Sequence, residues 1–397
     1  MLIKVPGSKS ITNRALALAA LSGSEVTLQN AAVCDDSKYM LKGLMKIGFQ
    51  EKEPIKIFTG NAGTATRFLT AIASITDKKT IIAGDKHMAT RPIKPLVDAL
   101  NKLGAKIKCP TGCPPVMIYD QPPIGGEIKI PGDISSQYIT ALLMIAPFLE
   151  EPTTIKITGQ LASKPYVEMT IKMMKDFGLK VANKNFKEFT IKPQNAKPPK
   201  TYHIEGDCSS ASYLGAFAAL NPKSPVTLEN ISENSLQGDI KFLQYLKKMG
   251  CTIPHSGKKI KIQGPRQLKS LGTIDMNETP DLVMTFAVLA MFTEGETRIT
   301  NIANLRIKET DRLAALENEI KKFGIKVRAG KDFIAVTGGP LDFNKKIAVE
   351  TYDDHRIAMC FGILLNKFPN LKIKNPECVR KSYPDFWKHM SKLQKVK

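Results

Sequence analysis

Cationic and polar side chains stand directly before apolar, helix-like runs at several points along this chain. In PGSKSITNRAL, Lys9, Ser10 and Arg14 lead into the run ALALAAL, and in TGNAGTATRFL two glycines precede Arg67. The first turn of a helix exposes unpaired backbone N–H groups and positive potential, so nearby Lys, Arg and Ser side chains complete an anion-binding site. Taken singly, each segment is explained equally well by an ordinary capped helix.

The same arrangement returns in three more segments of the first half. RPIKPLVDAL carries an arginine, while GDISSQYITALLM and SKPYVEMT place hydroxyl and amide groups at the start of helix-like runs. Such groups either cap the helix or hold the oxygens of a phosphate. The further candidate anion-binding residues of the first half are Gly63, Arg91, Ser135, Ser136, Gln137, Ser163 and Tyr166.

Charged residues in the second half concentrate in a few segments. ETPDLVMTFAVLA places Asp281 just before a strongly apolar run, where an acidic helix cap is the commoner explanation of a lone Asp. In NLRIKETDRL, the four-residue spacing of Lys308 and Arg312 predicts that they share a helix face, with Glu309 one step round. A solvated helix face with ion pairs would look similar. The remaining cations of this kind are Arg356 in DDHRIAMCF and Lys381 in VRKSYPD.

The formal charge of +21 favours anionic partners without identifying them. Most of the surplus is a bias toward Lys, with 48 Lys against 10 Arg, and solvated lysines need no partner. The scarce arginines fall mainly in the segments above, where a planar fork grips carboxylate or phosphate through two parallel bonds; buried ion pairs are their alternative use. Nucleic acid is disfavoured, because no basic segment alternates with aromatic residues and no zinc-finger or RRM signature occurs.

The composition excludes several classes of protein. Of 397 residues, 43% are hydrophobic and 24% charged, as in ordinary folded proteins. Seven scattered Cys without a CxxC pair, and five His that do not cluster with them, indicate neither a zinc site nor a disulfide framework, so we expect no metal and a reducing, cytoplasmic location. The longest uncharged run, 134–149, is too short for a membrane span. MLIKVPGSKS shows no signal or transit pattern.

A pattern of amphipathic helix, Gly and β-like run recurs along the chain. The glycines at positions 48, 104, 178, 250 and 324 are separated by 56, 74, 72 and 74 residues, and a sixth helix-like segment, FWKHMSKLQ, follows. A Gly at such a place lets the chain leave a helix through a left-handed conformation. The spacing predicts an α/β protein of six similar units, arranged three plus three. With so many cationic helix starts, it predicts an enzyme for phosphorylated, carboxylated small molecules.

Together these segments resemble the motif series of the 5-enolpyruvylshikimate-3-phosphate (EPSP) synthase family of enolpyruvyl transferases. In the family's order, from residue 6 to residue 381, the chain carries PGSKSITNRAL, GNAGTATRFL, RPIKPLVDAL, SSQYITALL, SKPY, PDLVMT, NLRIKETDRL, DDHRIAM and Lys381. The resemblance implies a two-domain inside-out α/β barrel of six βαβαββ-type repeats, three in each domain. It implies one domain at 9–206, inserted into a second domain of 1–8 and 207–397, with the active site in the interdomain cleft.

By this resemblance, the chain would move the enolpyruvyl group of phosphoenolpyruvate to the 5-hydroxyl of shikimate 3-phosphate and release phosphate, a step toward chorismate and the aromatic amino acids. It would act as a monomer on these two substrates, with no cofactor, metal, nucleic acid or membrane. Lys9, Asp281 and Glu309 would be catalytic, with Asp281 also binding substrate. Shikimate 3-phosphate would be held by Ser10, Arg14, Ser135, Ser136, Gln137, Ser163, Tyr166, Asn304 and Lys308. Phosphoenolpyruvate would be held by Lys9, Gly63, Arg91, Arg312, Arg356 and Lys381.

The implied mechanism gives the two carboxylates opposite tasks. Asp281 would accept the proton of the attacking hydroxyl, and Glu309 would give a proton to the methylene carbon. We therefore expect the pKa of Glu309 to be raised while Asp281 stays ionised. Fixed cations would stabilise the anionic tetrahedral intermediate, and closure of the cleft would remove water.

Some features depart from the family or leave rivals open. Phe68 stands where bacterial members often have proline, and Lys94 where glycine is frequent, so the response to inhibitors such as glyphosate is open. The sister enzyme, which acts on UDP-N-acetylglucosamine, usually has a reactive Cys in its first domain; Cys109 and Cys113 lie in such a region but in a Pro-rich setting without that motif. A basic nucleic-acid-binding protein would instead bind DNA with steep salt dependence. A non-catalytic member is disfavoured, because the candidate acid, base and cations are all present.

Overall fold

The chain folds into two compact α/β units. The computed structural model describes residues 1–49, 52–257 and 259–395. Lys9–Ile204 forms one unit, called here the inserted unit. Met1–Ser8 and Glu205–Lys397 together form the other, called here the discontinuous unit.

Both units are built from short strands and helices of moderate length. The helices are α1 (Lys9–Ser22), α2 (Asp35–Phe49), α3 (Gly63–Ser74), α4 (Lys94–Lys102), α5 (Ser136–Ile145), α6 (Lys164–Asp176), α7 (Cys208–Leu220), α8 (Phe242–Lys248), α9 (Val283–Ala290), α10 (Arg312–Lys321), α11 (His355–Gly362) and α12 (Phe386–Gln394). The strands are β1 (Leu2–Lys4), β2 (Thr27–Gln29), β3 (Ile55–Phe58), β4 (Thr80–Ala83), β5 (Ile107–Lys108), β6 (Val116–Ile118), β7 (Gly126–Pro131), β8 (Thr153–Thr158), β9 (Ala182–Lys184), β10 (Glu188–Ile191), β11 (Thr201–His203), β12 (Val226–Glu229), β13 (His255–Ser256), β14 (Lys259–Ile262), β15 (Thr273–Asp275), β16 (Glu296–Thr300), β17 (Lys326–Ala329), β18 (Ile334–Thr337), β19 (Ile347–Val349) and β20 (Leu371–Ile373).

The sheets repeat one topology. Each four-stranded sheet begins with a parallel pair, to which a hairpin adds two antiparallel strands. The strand orders are β1-β12-β14-β13, β3-β4-β6-β5, β7-β8-β10-β9 and β15-β16-β18-β17. Two further sheets consist of the parallel pairs β11-β2 and β19-β20. Within the described residues, four of the six repeats thus have the full βαβαββ pattern. The other two have the parallel pair of strands without the hairpin.

In both the inserted and the discontinuous unit, the core is formed by the helices that follow the first strand of a repeat. All 13 residues of α7 and all eight residues of both α9 and α11 are buried, and so are most residues of α3 and α5. Such helices are apolar on every side, which is why they pack against one another rather than toward water. Their charged residues, Arg67, His355 and Arg356, and the candidate site residues Gly63, Ser136 and Gln137 all lie within the first two turns. Within the described residues, no helix is long and apolar enough to cross a membrane.

The repeated glycines do what the pattern predicts at four of the five positions. Gly104, Gly178, Gly250 and Gly324 follow helices and have φ of +111°, +78°, +99° and +80°. These are left-handed conformations that a residue with a Cβ adopts only under strain. Gly48 is the exception, and its prediction is wrong: it lies inside α2, which continues to Phe49.

Candidate active site

Lys9 begins α1 and is paired with an acid of the next helix. Its Nζ lies 3.0 Å from Oδ2 of Asp36, in the first turn of α2, and the two side chains are 12% and 3% exposed. The pair fixes an ammonium group at a helix start, where the unpaired backbone N–H groups add positive potential. Asp36 is buried, so loss of Lys9 would remove an ion-pair partner from a carboxylate that water cannot fully solvate.

Arg14 lies one turn further along α1, deep in the inserted unit. Its Nε donates to Oγ1 of Thr170 over 2.8 Å, Nη1 donates to the carbonyl of Ser10 over 2.9 Å, and Nη2 donates to the carbonyl of Tyr166 over 3.2 Å. The guanidinium also lies over the Phe68 ring, 5.6 Å from its centroid, and over the Tyr166 ring. Burial lowers the pKa of Arg14 to about 10. Its fork is thus anchored by neutral oxygens of the protein.

Two buried arginines flank Gly63, the first residue of α3. A Cβ at Gly63 would lie 2.6 Å from Nη1 of Arg67 and 2.8 Å from both Nη atoms of Arg91. Arg67 donates to the carbonyls of Gly63 and Pro92, each over 2.9 Å, and Arg91 donates to Oδ1 of Asn61 over 3.2 Å. The bare glycine therefore lets two guanidinium groups approach one helix start.

The start of α5 combines a cap with a link to α3. Ser135 has extended backbone angles, and its hydroxyl accepts a hydrogen bond from the backbone N–H of Gln137 over 3.3 Å. Capping, one of the two roles the sequence left open, is therefore what this hydroxyl does. Ser136 is buried in the first helical turn. The Gln137 side chain donates to Oγ1 of Thr64 over 3.1 Å, which joins this segment to the Gly63 turn.

Ser163 holds an unusual backbone conformation before α6. Its φ of +56° and ψ of 41° are left-handed, and its hydroxyl makes no capping hydrogen bond although it occupies the capping position. A left-handed residue other than Gly costs about 1–3 kcal/mol, and such strain concentrates at functional sites. Tyr166 follows in the first turn, with its ring centroid 5.8 Å from the Arg14 guanidinium carbon. Tyr166 thus joins the neighbourhood of Arg14, and Ser163 stands three residues before it.

In the discontinuous unit, Arg312 holds three carboxylates together. Its Nε lies 2.7 Å from Oδ2 of Asp354, its Nη1 3.2 Å from Oδ1 of Asp281, and its Nη2 2.8 Å from Oε2 of Glu309. Burial acts against its charge, but these carboxylates outweigh burial and raise the pKa of Arg312 above its usual value. Within the described residues, no group of three or more His, Cys, Asp or Glu is arranged to hold a metal ion.

Asp281 also binds a second arginine. Its Oδ2 accepts from Nη2 of Arg356 over 2.7 Å, and Nη1 of Arg356 donates to the hydroxyl of Tyr213 over 3.3 Å. The acidic-cap explanation of Asp281 is wrong, because Asp281 lies within the short 3-10 helix Pro280–Leu282, the N-cap of that helix is Thr279, and the N-cap of α9 is Leu282. An acidic cap does occur at α11, where Oδ1 of Asp354 accepts from the backbone N–H of Arg356 over 2.9 Å. The alternative use of arginine, in buried ion pairs, is therefore realised here.

The shared helix face predicted for Lys308 and Arg312 is wrong. A 3-10 helix, Ala303–Ile307, ends before Lys308, and α10 begins only at Arg312 after Asp311 caps it through the N–H groups of Leu313 and Ala314. Glu309 stands in the intervening loop, 9% exposed at its side chain, and its Oε1 lies 3.8 Å from Nζ of Lys381. Because Glu309 lies in a loop, its side chain can turn inward toward Arg312. In one continuous helix, the helical repeat would have set the directions of both side chains.

Asn304 lies in that 3-10 helix and is buried. Among the described residues, its side-chain Oδ1 has no hydrogen-bond partner. A buried acceptor without a donor costs about 1–3 kcal/mol, unless a water or a ligand supplies one. Asn304 therefore has the hydrogen-bonding capacity for a substrate hydroxyl.

Several direct partners of the predicted cations were not among the predicted site residues. Asp36, Asp354 and Asn61 are the direct partners of predicted cations, and Tyr213 contacts Arg356 from α7. Acidic residues at helix starts were the available signal for Asp36 and Asp354, since each stands at the beginning of a helix. Tyr213 gave no signal, because one Tyr in an apolar helix has the pattern of a core residue.

Comparison with known proteins gives a consistent family. The family model for EPSP synthase (3-phosphoshikimate 1-carboxyvinyltransferase) matches residues 2–390. A 3-phosphoshikimate 1-carboxyvinyltransferase of Histophilus somni strain 2336 is 42% identical over 419 residues, which cover 99% of this chain and 96% of the relative. The protein of that name from Haemophilus influenzae strain PittEE is 42% identical over 417 residues, covering 98% of this chain and 96% of the relative.

Solved structures share the fold. EPSP synthase from Acinetobacter baumannii matches with a TM-score of 0.76 at 22% identity, covering 99% of this chain and 95% of that one. The enolpyruvyl transferase NikO from Streptomyces tendae matches with a TM-score of 0.76 at 14% identity, covering 99% and 94%. At these identities the matches define the fold, which is that of the enolpyruvyl transferases and confirms the predicted fold class.

The motifs, the family match and the long, closely similar relatives together decide the family. This chain belongs to the EPSP synthase (3-phosphoshikimate 1-carboxyvinyltransferase) family. The family predicted from the motifs and its expected transferase activity are therefore confirmed. The UDP-N-acetylglucosamine and nucleic-acid alternatives are not favoured.

Proposed function

We propose that this protein transfers the enolpyruvyl group of phosphoenolpyruvate to the 5-hydroxyl of shikimate 3-phosphate and releases phosphate. The observation that carries the residue assignment is the position of Arg312, which contacts both Asp281 and Glu309 within 3.2 Å. One buried guanidinium thus holds two carboxylates that can move protons in opposite directions. Two further cations, Arg356 and Lys381, lie against the same two carboxylates.

In the addition step, the hydroxyl oxygen bonds to C2 of phosphoenolpyruvate. The hydroxyl proton passes to Asp281, and Glu309 donates a proton to C3, which becomes a methyl group. Arg312 donates to Oδ1 of Asp281 and Arg356 donates to Oδ2, so the two arginines orient the carboxylate that acts as general base. An anionic substrate that engages Arg312 would compete with Glu309 for its N–H groups, and the loss of that partner would favour the protonated form that donates to C3.

In the elimination step, the bond from C2 to the phosphate oxygen breaks. Phosphate leaves with the proton that Asp281 had accepted, and a methyl proton returns to the Glu309 carboxylate, which restores the C2–C3 double bond. Negative charge is concentrated on the intermediate, so preplaced guanidinium groups stabilise it without reorganising. We assign Lys9, Arg91, Arg312, Arg356 and Lys381 to phosphoenolpyruvate, with Gly63 leaving room for it. We assign Ser10, Arg14, Ser135, Ser136, Gln137, Ser163, Tyr166, Asn304 and Lys308 to shikimate 3-phosphate.

The proposal is tested by phosphate release from phosphoenolpyruvate with two different acceptors. We expect release with shikimate 3-phosphate, one phosphate for each enolpyruvyl product detected by mass spectrometry, and none above background with UDP-N-acetylglucosamine. Release only with the nucleotide sugar would overturn the acceptor. No release with either acceptor would overturn the activity.

The roles of the two carboxylates are tested by isosteric variants. We expect Asp281→Asn and Glu309→Gln each to lower kcat by about 10²–10⁴, the range of general acid–base catalysis. Glu317→Gln is the matched control, because Glu317 lies on α10 near Arg312 in sequence but pairs with Lys321 at the partly exposed surface. A loss in the control as large as in the other two would assign the effect to α10 rather than to proton transfer.

Location and oligomeric state belong to the same proposal. All seven cysteines are free thiols, which suits the reducing environment of the cytoplasm. We expect a monomer, as the family resemblance implies. Sedimentation at working concentration gives the oligomeric state directly.

A further inference from the structure

Asp239 is a buried carboxyl group outside the motifs of the family resemblance. It lies in the 3-10 helix Gly238–Lys241 and is 2% exposed. Its Oδ2 accepts a hydrogen bond from the hydroxyl of Ser209, in the first turn of α7. Among the described residues, Oδ1 has no hydrogen-bond partner. A carboxylate with one donor and one bare oxygen is costly to bury, whereas the protonated acid is not.

One face of α7 connects Asp239 to the arginine–carboxylate contacts of the site. Ser209 and Tyr213 are four residues apart on this helix, so they lie on the same face. Ser209 binds Asp239, and Tyr213 accepts from Arg356, which in turn binds Asp281. The buried acid and the catalytic base are therefore held against neighbouring turns of one rigid, wholly buried helix.

Burial and the neighbouring charges shift the pKa of Asp239 toward neutrality. Burial, reinforced by the negative charge of Asp281, raises the pKa of Asp239 to about 7. The Ser209 hydrogen bond and the charge of Arg356 act in the opposite direction, and Asp207, the cap of α7, adds a small upward effect. Cys208 and Tyr245 are two further titratable groups whose charges interact with that of Asp239.

We propose that Asp239 is a positioning residue whose proton keeps the Arg356–Asp281 pair able to receive an anionic substrate. Once ionised, Asp239 adds a second carboxylate charge to the surroundings of Arg356 and weakens its hold on phosphoenolpyruvate. The effect acts through Arg356 and Asp281, whose charges interact with that of Asp239, because Asp239 itself is closed to solvent. The inference rests on the proposed function, in which Arg356 binds phosphoenolpyruvate.

The test compares kcat/KM for phosphoenolpyruvate in the wild type and in Asp239→Asn from about pH 5.5 to about pH 9, a range that brackets the titration. Ionisation of the substrate cancels in the ratio of wild type to variant. We expect this ratio to fall roughly tenfold as pH rises through neutrality. A change of this size is expected when one negative charge is added at a distance where the protein and solvent partly screen it. A ratio that stays constant with pH would overturn the proposal and leave Asp239 a purely structural residue.

Two further variants separate the explanations. Ser209→Ala removes the hydrogen bond that favours the carboxylate, so the fall in its kcat/KM should move to higher pH; a fall at the wild-type pH would contradict the proposal. Glu319→Gln is the matched control, because Glu319 is equally buried in the same unit but fully bonded to Lys322, Tyr352 and the backbone N–H of Glu350. Its ratio to wild type should not vary over this range, and a variation equal to that of Asp239→Asn would also contradict the proposal.

A stability measurement tests Asp239 independently of turnover. Its pKa in the folded protein, about 7, lies above its ordinary value of 3.8, so stability is fully present below the ordinary value and is lost as pH rises through the folded one. The Tm of Asp239→Asn should therefore gain on that of the wild type between about pH 4 and about pH 7. A constant difference in Tm would contradict the proposal. Absence of wild-type turnover with shikimate 3-phosphate, by contrast, would refute the proposed function and leave this titration measurable.

Discussion

Arg14 of the inserted unit and Arg312 of the discontinuous unit are equally buried but have opposite surroundings. Arg14 is 2% exposed and Arg312 is 1% exposed. The hydrogen bonds of Arg14 go to carbonyl and hydroxyl oxygens, whereas those of Arg312 go to three carboxylates. Burial accordingly lowers the pKa of Arg14 to about 10, while the carboxylates raise the pKa of Arg312 despite its burial.

The comparison separates two ways of using a buried cation. Neutral oxygens orient Arg14 without cancelling its charge, so its positive potential reaches the start of α1, where Ser10 and Lys9 stand. The charge of Arg312 is neutralised by carboxylates, two of which are the proposed proton-transfer groups. An anionic substrate must therefore displace one of these carboxylates in order to bind Arg312. We therefore expect the first arginine to attract substrate and the second to respond to it.

The largest expected effect comes from removing each arginine in turn. Arg312→Met leaves Asp354 and its neighbours without their shared cation, so the free energy of unfolding should fall by about 3–5 kcal/mol and turnover should be lost. Arg14→Met removes hydrogen bonds to neutral groups, with an expected loss of about 1–3 kcal/mol. Urea unfolding at neutral pH measures both. Equal losses would mean that the different surroundings have no energetic consequence.

Arg91→Lys tests whether the shape of a cation matters as well as its charge. Lys keeps the charge but loses the fork, so we expect KM for phosphoenolpyruvate to rise by the equivalent of about 1.5–3 kcal/mol, with a smaller change in kcat. Arg328→Lys is the control, since Arg328 is exposed and pairs with Glu296 at the surface. An unchanged KM would remove Arg91 from the phosphoenolpyruvate site.

Gly63→Ala sharpens the contrast by crowding two arginines at once. The added Cβ would lie 2.6–2.8 Å from the guanidinium nitrogens of Arg67 and Arg91, so both must shift. We expect about 1–3 kcal/mol of lost binding for phosphoenolpyruvate and for glyphosate. Inhibition constants measured by steady-state kinetics check this. Gly48→Ala is the control, because a Cβ at Gly48 would meet no atom within 4 Å.

Tyr213→Phe should have the smallest effect. It removes one 3.3 Å hydrogen bond from Arg356 and leaves the shorter bond to Asp281 in place. A hydrogen bond from a charged donor contributes about 1.5–3 kcal/mol, and the length of this one places it at the lower end, so we expect KM for phosphoenolpyruvate to rise up to about tenfold with kcat nearly constant. A drop in kcat with constant KM would instead connect Tyr213 to the proton-transfer step.

The repeat was predictable because its signals are local. A left-handed Gly after a helix and an apolar run that starts with polar residues depend on neighbouring residues alone, and Gly104, Gly178, Gly250 and Gly324 gave the period correctly. Gly48 carries the same local signal, yet α2 continues through it, because a glycine permits a helix end without requiring one. The absence of the hairpin from two of the six repeats could not be predicted, since the spacing of the glycines gives the number of repeats and not the number of strands in each.

The site was predictable as a set of residue types but not as a set of contacts. The cations at helix starts were found from the sequence, whereas their partners Asp36, Asn61 and Asp354 depend on how separate helices pack. The direction of Glu309 was missed because a break between two helices replaces the continuous helix expected there. Nothing in the sequence singled out Asp239, since a lone acidic residue becomes notable only when the structure shows that it is buried.

The pairing of β1 with β12 has a consequence for how the chain is made. The amino group of Met1 donates to the carbonyl of Pro225, across 224 residues of sequence. On the ribosome, the first strand therefore emerges long before its partner exists, while the whole of Lys9–Ile204 can complete its own fold in the meantime. The strand Leu2–Lys4 can therefore pair only after residues 227–229 have been synthesised, so this early segment of the chain reaches its final place late.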